Sequence, residues 1–165
     1  MSYTVPMRPR YGLFYDVTDQ TGSTTVPTAV KFGSNQIADQ GVTVVTDGTN
    51  LTRVTFGSAG TYLLSGNLQT SNSDAADHNI TVWVRFNGVD LPNSSLREVT
   101  PKLADGGLGF ISVTSILPVA AGDYIQVVWL VDNVALTLDY TAAAAGPPAI
   151  PARASARIYA TRISL

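Results

Sequence analysis

Cysteine is missing from this 165-residue chain, and His78 is its only histidine. Without thiols, the chain can form neither a disulfide framework nor a thiolate metal site. A single imidazole also excludes a metal site built from clustered histidines, and it leaves little material for acid–base catalysis near neutral pH. The composition therefore predicts a protein that is not an enzyme and binds no cofactor.

Charged residues are scarce as well. Asp, Glu, Lys and Arg make up 13% of the chain, against roughly a quarter in ordinary soluble domains, while hydrophobic residues reach 45%. This is too little charge to cover the surface of a monomer generously, so we expect self-association. The length is that of one domain with a substantial core.

The charge is unevenly distributed along the chain, whose net charge is −2. All 12 acidic residues lie between positions 11 and 140. The charged residues of the two ends, positions 1–10 and 141–165, are all basic, namely Arg8, Arg10, Arg153, Arg157 and Arg162. An acidic body with basic ends indicates docking onto an acidic partner surface, for which these five arginines are the candidates. The alternative is that they are scattered surface charges.

Long apolar segments are also missing. No run approaches the ~18 residues that a membrane-spanning helix needs, and the opening Met-Ser-Tyr-Thr-Val-Pro lacks the basic and apolar regions of a secretory signal. We therefore expect a protein made in a cytoplasm, with neither membrane nor nucleic acid as a partner.

The chain does contain apolar residues that alternate with polar ones, the period-two pattern of β-strands. Strands are predicted over residues 11–16, 26–32, 42–46, 54–56, 62–68, 80–86, 110–117, 124–131, 136–140 and 157–163. Asp47-Gly48 and Asn87-Gly88 supply tight turns between antiparallel strands. Residues 70–79 and 92–107 are predicted as loops, and Gly146, Pro147 and Pro148 argue against a helix after the four alanines 142–145.

The predicted organisation is an extended N-terminal arm, residues 1–10, followed by one all-β domain, residues 11–165. Pro6 and Pro9 remove backbone donors from the arm. The strand 124–131 is apolar on both faces, with Tyr124, Val128 and Leu130 opposite the other apolar set. A strand of this kind is covered on both sides, and the second cover is predicted to come from a neighbouring subunit.

Residues 54–68 read Val-Thr-Phe-Gly-Ser-Ala-Gly-Thr-Tyr-Leu-Leu-Ser-Gly-Asn-Leu and predict a strand, a bend and a second strand. This stretch resembles the signature of the tumour-necrosis-factor and complement-type jelly rolls, in which Gly-x-Tyr opens a strand beside a trimer axis. Residues 117–127, with Gly122-Asp123 before alternating apolar residues, resemble the penultimate strand of that family. The resemblance implies a jelly-roll sandwich of about 8–10 antiparallel strands that forms a homotrimer. The candidate interface residues are Phe56, Tyr62, Leu64, Tyr124, Val128, Leu130 and Tyr159.

The stretches 12–16, 83–94 and 148–151 are most similar to small bacteriophage virion proteins of this jelly-roll type. That resemblance implies a trimeric capsid decoration (cement) protein on the head surface, which binds the major capsid protein or another virion protein through its base and arm. A receptor- or glycan-binding fibre tip is the alternative. In a fibre tip, the loops 70–79 and 92–107 would bind the receptor or glycan, and Trp83 and Trp129 could stack on sugars.

Asp74, Asp77 and His78 form the one polar cluster that could bind a cation. These residues lack the ordered ligand spacing of a calcium loop. A solvated loop is therefore the expected role of this stretch, and no metal site is predicted.

Overall fold

The computed structural model describes residues 8–164, except for the side chains of residues 35, 36, 38 and 39. Strands follow one another along this range as β1 Tyr11–Asp16, β2 Gln20–Thr21, β3 Thr28–Ala29, β4 Ser34–Gln40, β5 Val42–Thr46, β6 Leu51–Phe56, β7 Gly60–Asn72, β8 His78–Phe86, β9 Val89–Asp90, β10 Leu96–Thr100, β11 Leu108–Val119, β12 Tyr124–Val131, β13 Leu136–Leu138 and β14 Ala156–Ser164. A 3₁₀ turn, Leu103–Asp105, precedes β11. The described chain contains no α-helix and is all-β, as predicted.

The strands form two antiparallel sheets arranged as a β-sandwich. The first sheet has the order β2–β13–β7–β14–β1–β4, with β11 on the opposite edge of β7. The second sheet has the order β10–β8–β12–β6–β5, to which β9 and β3 add short pairings. Across the range that the structure describes, no helix is long and apolar enough to cross a bilayer.

β7 organises the first sheet. One edge of this 13-residue strand pairs with β11 from Gly60↔Val119 to Ser71↔Leu108. The other edge pairs first with β14 and then with β13. The predicted bend before β7 is present, and Gly60 ends it at φ +148°. A Cβ at this position would lie 2.6 Å from the Ser164 carbonyl oxygen, so glycine is required by both conformation and space.

The core lies between the two sheets and follows the alternation in the sequence. Val54 and Phe56 of β6 and Tyr62 and Leu64 of β7 all point inward, and so does Trp129 of β12. The rings of Phe56 and Tyr62 are tilted by 52° with centroids 4.6 Å apart, a favourable aromatic geometry. The Tyr62 hydroxyl donates to the Ser58 carbonyl oxygen at 3.1 Å, so this buried polar group is satisfied.

Several element boundaries differ from the predictions. β4 and β10 lie where no strand was expected, because their sequences, Ser-Asn-Gln-Ile-Ala-Asp-Gln and Leu-Arg-Glu-Val-Thr, lack a regular apolar alternation. The predicted strand 26–32 shortens to β3, because Val30 and Phe32 donate to carbonyls on two different strands, β12 and β6. β7 runs on to Asn72 and β8 begins at His78, so the loop predicted over 70–79 spans only 73–77.

The last residues of the predicted arm are attached to the sandwich. Arg162 of β14 donates its backbone N–H to the Arg10 carbonyl oxygen at 2.8 Å. Its Nη2 atom donates to the Arg8 carbonyl oxygen at 2.7 Å, and its Nη1 atom to that of Ala59 at 3.3 Å. Residues 1–7 of the predicted arm lie outside the described residues.

Candidate interaction surfaces

Three of the predicted trimer-interface residues lie in the core. Phe56 and Tyr62 are 0% exposed and Leu64 is 2% exposed within a single chain. They have no surface left for a neighbouring subunit, so their assignment to an interface is wrong. Their apolar character was correctly identified, but it is used between the two sheets of one subunit.

The predicted second cover of β12 also needs correction. Val128 is fully buried within one chain, between its cross-strand neighbours Trp83 of β8 and Ala29 of β3. Tyr124, on the same outer face, lies under the Arg53 guanidinium, with 4.8 Å between that group and the ring centroid. Leu130 is only partly buried there. The chain itself therefore supplies much of the cover that was assigned to a neighbour.

Tyr159 is the predicted interface residue that points out of the first sheet, where it is 43% exposed. It belongs to a surface that we call the outer apolar face, formed by Tyr11, Leu13, Ile37, Leu63 and Tyr159. Leu13 pairs with Ile37, and Thr161 beside Tyr159 pairs with Leu63. Tyr11 is 37% exposed and Ile37 39%, so the face is open along the sheet.

The outer apolar face continues onto β11. Ile111 and Val113 of this strand are buried, so alternation points Phe110 and Ile116 outward, where they are 64% and 60% exposed. Ile116 lies directly opposite Leu63 of β7. Among the described strands β11 pairs only with β7, and no charged residue occurs between Asp105 and Asp123. Natural edge strands are usually protected by charge, bulges or a covering segment.

A groove runs between β11 and β10, the neighbouring edges of the two sheets. One part has a volume of about 320 Å³ and is lined by Val84, Leu91, Pro92, Asn93, Ser94, Leu96 and residues 113–117. A second part, about 360 Å³, lies beside Leu96, Arg97, Glu98 and residues 110–112. We call the two parts together the edge groove. The alternation within 108–119 could have located it, but β10 was predicted as loop.

The structure divides the five candidate docking arginines into two groups. Arg8 and Arg10 lie beside Arg162, at the end of the sandwich that holds the bend before β7. Arg157 faces outward near the start of β14, and with Arg153 it lines a polar pocket of about 230 Å³ beside Asn67 and Gln69. No ion pair joins any of the five to a described carboxylate.

The polar cluster around His78 is satisfied internally. His78 Nε2 lies 2.8 Å from Asp74 Oδ2 and its Nδ1 lies 3.1 Å from Asp132 Oδ1. The hydrogen bond that His78 donates to Asp74 raises the pKa of His78, although the partial burial of the ring opposes that shift. The same contact lowers the pKa of Asp74. Asp77 is not part of this contact, because it accepts the Lys102 N–H at 2.8 Å.

The carboxylates of Asp74, Asp77 and Asp132 all accept hydrogen bonds from neighbouring groups. Within residues 8–164, no group of three or more histidine, cysteine or carboxylate side chains is arranged to hold a metal ion. Asp74 and Asp77 lie in the loop 73–77, whereas His78 begins β8 and its side chain is 13% exposed, so the expectation of a solvated loop does not hold for the histidine. The cluster joins the loop 73–77 to the turn after β12.

The two tryptophans lie in different environments. Trp129 is 0% exposed in the core and cannot stack on a sugar. Trp83 lies half-buried on the outer face of the second sheet, where its indole N–H donates to Asp90 Oδ1 at 2.9 Å. The Arg85 Nε atom donates to the same oxygen at 2.7 Å, and these bonds lower the pKa of Asp90, with the Arg85 bond the larger cause.

No protein-family model matches the sequence, and no curated protein matches it significantly.

Proposed function

We propose that this protein is a homotrimeric jelly-roll protein of a bacteriophage virion, which decorates the head shell without catalysing a reaction. Support for the jelly roll comes from strand order. The main strands form the sets β1–β14–β7–β11 and β6–β12–β8–β10, which is the connectivity of two Greek keys folded into two sheets.

The observation that carries self-association is the outer apolar face and its continuation on β11. An exposed apolar surface of this extent, rimmed by polar residues, is typical of a protein-contact site. The edge of β11 and the far side of the face, at Ile37, are different surfaces of one chain. Contact between two different surfaces is heterologous, and such contacts close into rings when the rotation permits. A ring of three is the closed form that the resemblance implies.

The virion role rests on the resemblance of 12–16, 83–94 and 148–151 to small phage virion proteins, together with the surface charge. Arg8, Arg10 and Arg162 form a basic cluster at one end of the sandwich. Three copies of this cluster would face an acidic shell surface and bind it with multivalent strength. This cluster replaces the set of five arginines as the proposed docking surface.

Two measurements test the proposal. Light scattering after size exclusion should give a mass of three chains at micromolar concentration. Cryo-electron microscopy of the phage that encodes the chain should place this fold on the outside of the head shell. A monodisperse monomer would contradict the trimer. Density for the fold at the end of a fibre would favour the receptor-binding tip instead.

A further inference from the structure

A hairpin arm, residues 141–153, projects from the sandwich between β13 and β14. Its two legs are joined by reciprocal backbone hydrogen bonds of 2.8 and 3.0 Å between Thr141 and Arg153, and of 3.0 and 3.1 Å between Ala144 and Ile150. Every residue from 142 to 153 is exposed. The stretch 142–152 reads Ala-Ala-Ala-Ala-Gly-Pro-Pro-Ala-Ile-Pro-Ala and has no polar side chain.

This combination is unusual for a surface element. Ordinary surface loops are rich in polar residues, and an isolated two-stranded hairpin is only marginally stable in water. Ile150, the one large aliphatic side chain of the arm, is 57% exposed. None of the arm packs into the core of its own chain, so its apolar side chains gain no burial there. An external cover would bury them.

We propose that the arm of one copy packs into the edge groove of a neighbouring copy. This inference rests on the proposed self-association and adds the contact that fills the groove. The outer apolar face would form the main contact between copies, and the arm would add a second contact in the groove.

The occupant is assigned to a second copy because the arm and the groove match in chemistry. The part of the groove beside residues 113–117 has no charged residue in its lining, and the arm carries no charge before Arg153. An acidic or basic partner segment would lose its hydration there without gaining an ion pair. One edge of β11 also pairs with no other described strand, and an extended leg could add backbone hydrogen bonds along it.

The layout of the first sheet also favours contact between copies. The arm leaves from β13 and β14, which pair with one edge of β7, whereas the groove follows β11 on the other edge. The arm's own exposure shows that it does not fill the groove of its own chain. If each copy placed its arm in the edge groove of the next copy, both the arm and the groove would be covered.

The absence of cysteine permits a clean cross-linking test. The double variant Ile150→Cys with Ile116→Cys places one thiol on the arm and one beside the groove, both at exposed positions. The matched control is Ile150→Cys with Val26→Cys, since Val26 is 65% exposed and lies outside the groove. The single variant Ile150→Cys detects contacts between two arms. Each protein is treated with a short bismaleimide and separated on a denaturing gel.

We expect covalent dimers and trimers from the 150/116 pair, and at least tenfold less from the 150/26 pair and from the single variant. Equal cross-linking in all three would overturn the proposal. So would a trimer by light scattering that yields no 150/116 product, in which case the proposed function stands. A monomer by light scattering would contradict both proposals together.

A second variant tests the contact without thiols. Ile150→Asp changes an exposed side chain, so the fold should remain, but it would place a charge in the part of the groove beside residues 113–117, whose lining is uncharged. We expect its trimer to dissociate at a protein concentration at least tenfold higher than that of the control variant Val26→Asp. Identical dissociation of the two variants would show that the arm lies outside the subunit contact.

Discussion

At the residue scale, the His78 side chain links two loops through contacts with two carboxylates. Its ring lies between Asp74, in the loop 73–77, and Asp132, which follows β12. Asn79 also donates to Asp132, at 2.7 Å, and Asn133 to Asp74, at 3.2 Å. Arg97 contacts the cluster through Asn79, since its Nε atom donates to Asn79 Oδ1 at 3.1 Å. The histidine is therefore the only group of the cluster whose charge changes near neutral pH.

The direction of the pKa shifts predicts how this cluster responds to pH. The hydrogen bond that His78 donates to Asp74 raises the pKa of His78. The contribution of the imidazolium to folding stability is therefore complete below about pH 6.5 and is lost as the pH rises through the folded-state pKa. Contact with His78 lowers the pKa of Asp74, whose contribution is lost in acid. For Asp132, burial is the largest single influence and raises the pKa, but the hydrogen bonds from Asn79 and the contact with His78 together make the net shift downward. The cluster should therefore contribute most to the stability of the folded state between about pH 4 and 6.5.

The variant His78→Gln tests this prediction, because it removes the titration and keeps a polar side chain. We expect the melting temperature of the variant to fall furthest below that of the wild type near pH ~5.5, and the gap to narrow by pH ~9. Differential scanning calorimetry across this range measures both proteins. A gap that does not change with pH would mean that the imidazolium charge contributes nothing to stability.

At the element scale, β7 depends on close contact with β14. Gly66 pairs with Ile158, and a Cβ at Gly66 would lie 2.6 Å from the Arg157 carbonyl oxygen. That oxygen is backbone, so it can move only if β14 moves. Glycine is needed here for space, although its φ is ordinary.

Gly66→Ala should therefore destabilise the protein by about 1–3 kcal/mol, the usual cost of overpacking a well-ordered interior. Gly146→Ala is the matched control, since a Cβ there meets nothing within 4 Å and no strained φ is present. Urea denaturation of both variants measures the free energies of unfolding. A loss below about 0.5 kcal/mol for Gly66→Ala would show that β14 shifts without penalty.

Strands with clear alternation could be predicted from the sequence, and strands without it could not. Residues 11–16 match β1 at both ends, because one face of that strand is buried. Residues 124–131 match β12, whose residues are mostly apolar and are largely buried on both faces. β10 reads Leu-Arg-Glu-Val-Thr and only Thr100 is buried, so its sequence carries no periodic signal. Its position depends on pairing with β8, from Leu96↔Val82 to Thr100↔His78, which its own sequence does not reveal.

The same limit applies to the surfaces. The sequence identifies apolar residues but does not say whether a neighbouring sheet or a neighbouring subunit covers them. For this reason the sequence places both Tyr62 and Tyr159 in the predicted trimer interface. The arginines were grouped by their positions near the chain ends. Arg157 and Arg162 are five residues apart on one strand, about 16 Å, and alternation places them on opposite faces.

At the scale of the whole molecule, the basic cluster of Arg8, Arg10 and Arg162 lies near the end of β14, whereas Arg153 and Arg157 lie near its start. Arg8 uses its backbone carbonyl to hold the chain on Arg162, so its side chain can be changed without breaking that contact. Arg157 is equally basic and exposed but lies at the far end of β14. The pair provides a matched comparison of the two ends.

Arg8→Ser should weaken attachment to head shells about tenfold, if each of three copies loses an exposed ion pair worth roughly 0.5 kcal/mol. The salt dependence of attachment should also flatten, because fewer charges are screened. Arg157→Ser should bind as the wild type does. Co-sedimentation with undecorated shells at several salt concentrations measures both variants. Equal weakening by the two substitutions would rule out the cluster as the docking surface.

The position of β14 between β7 and β1 affects how the protein is made. β1 leaves the ribosome early, yet the partner that joins it to β7 is formed by residues 156–164. Until those residues emerge, the first sheet is split in two, with both halves presenting unpaired edges. The sandwich therefore cannot close during most of its synthesis, and a nascent chain stalled before Ala156 should remain open to proteases and to chaperones that bind exposed strands.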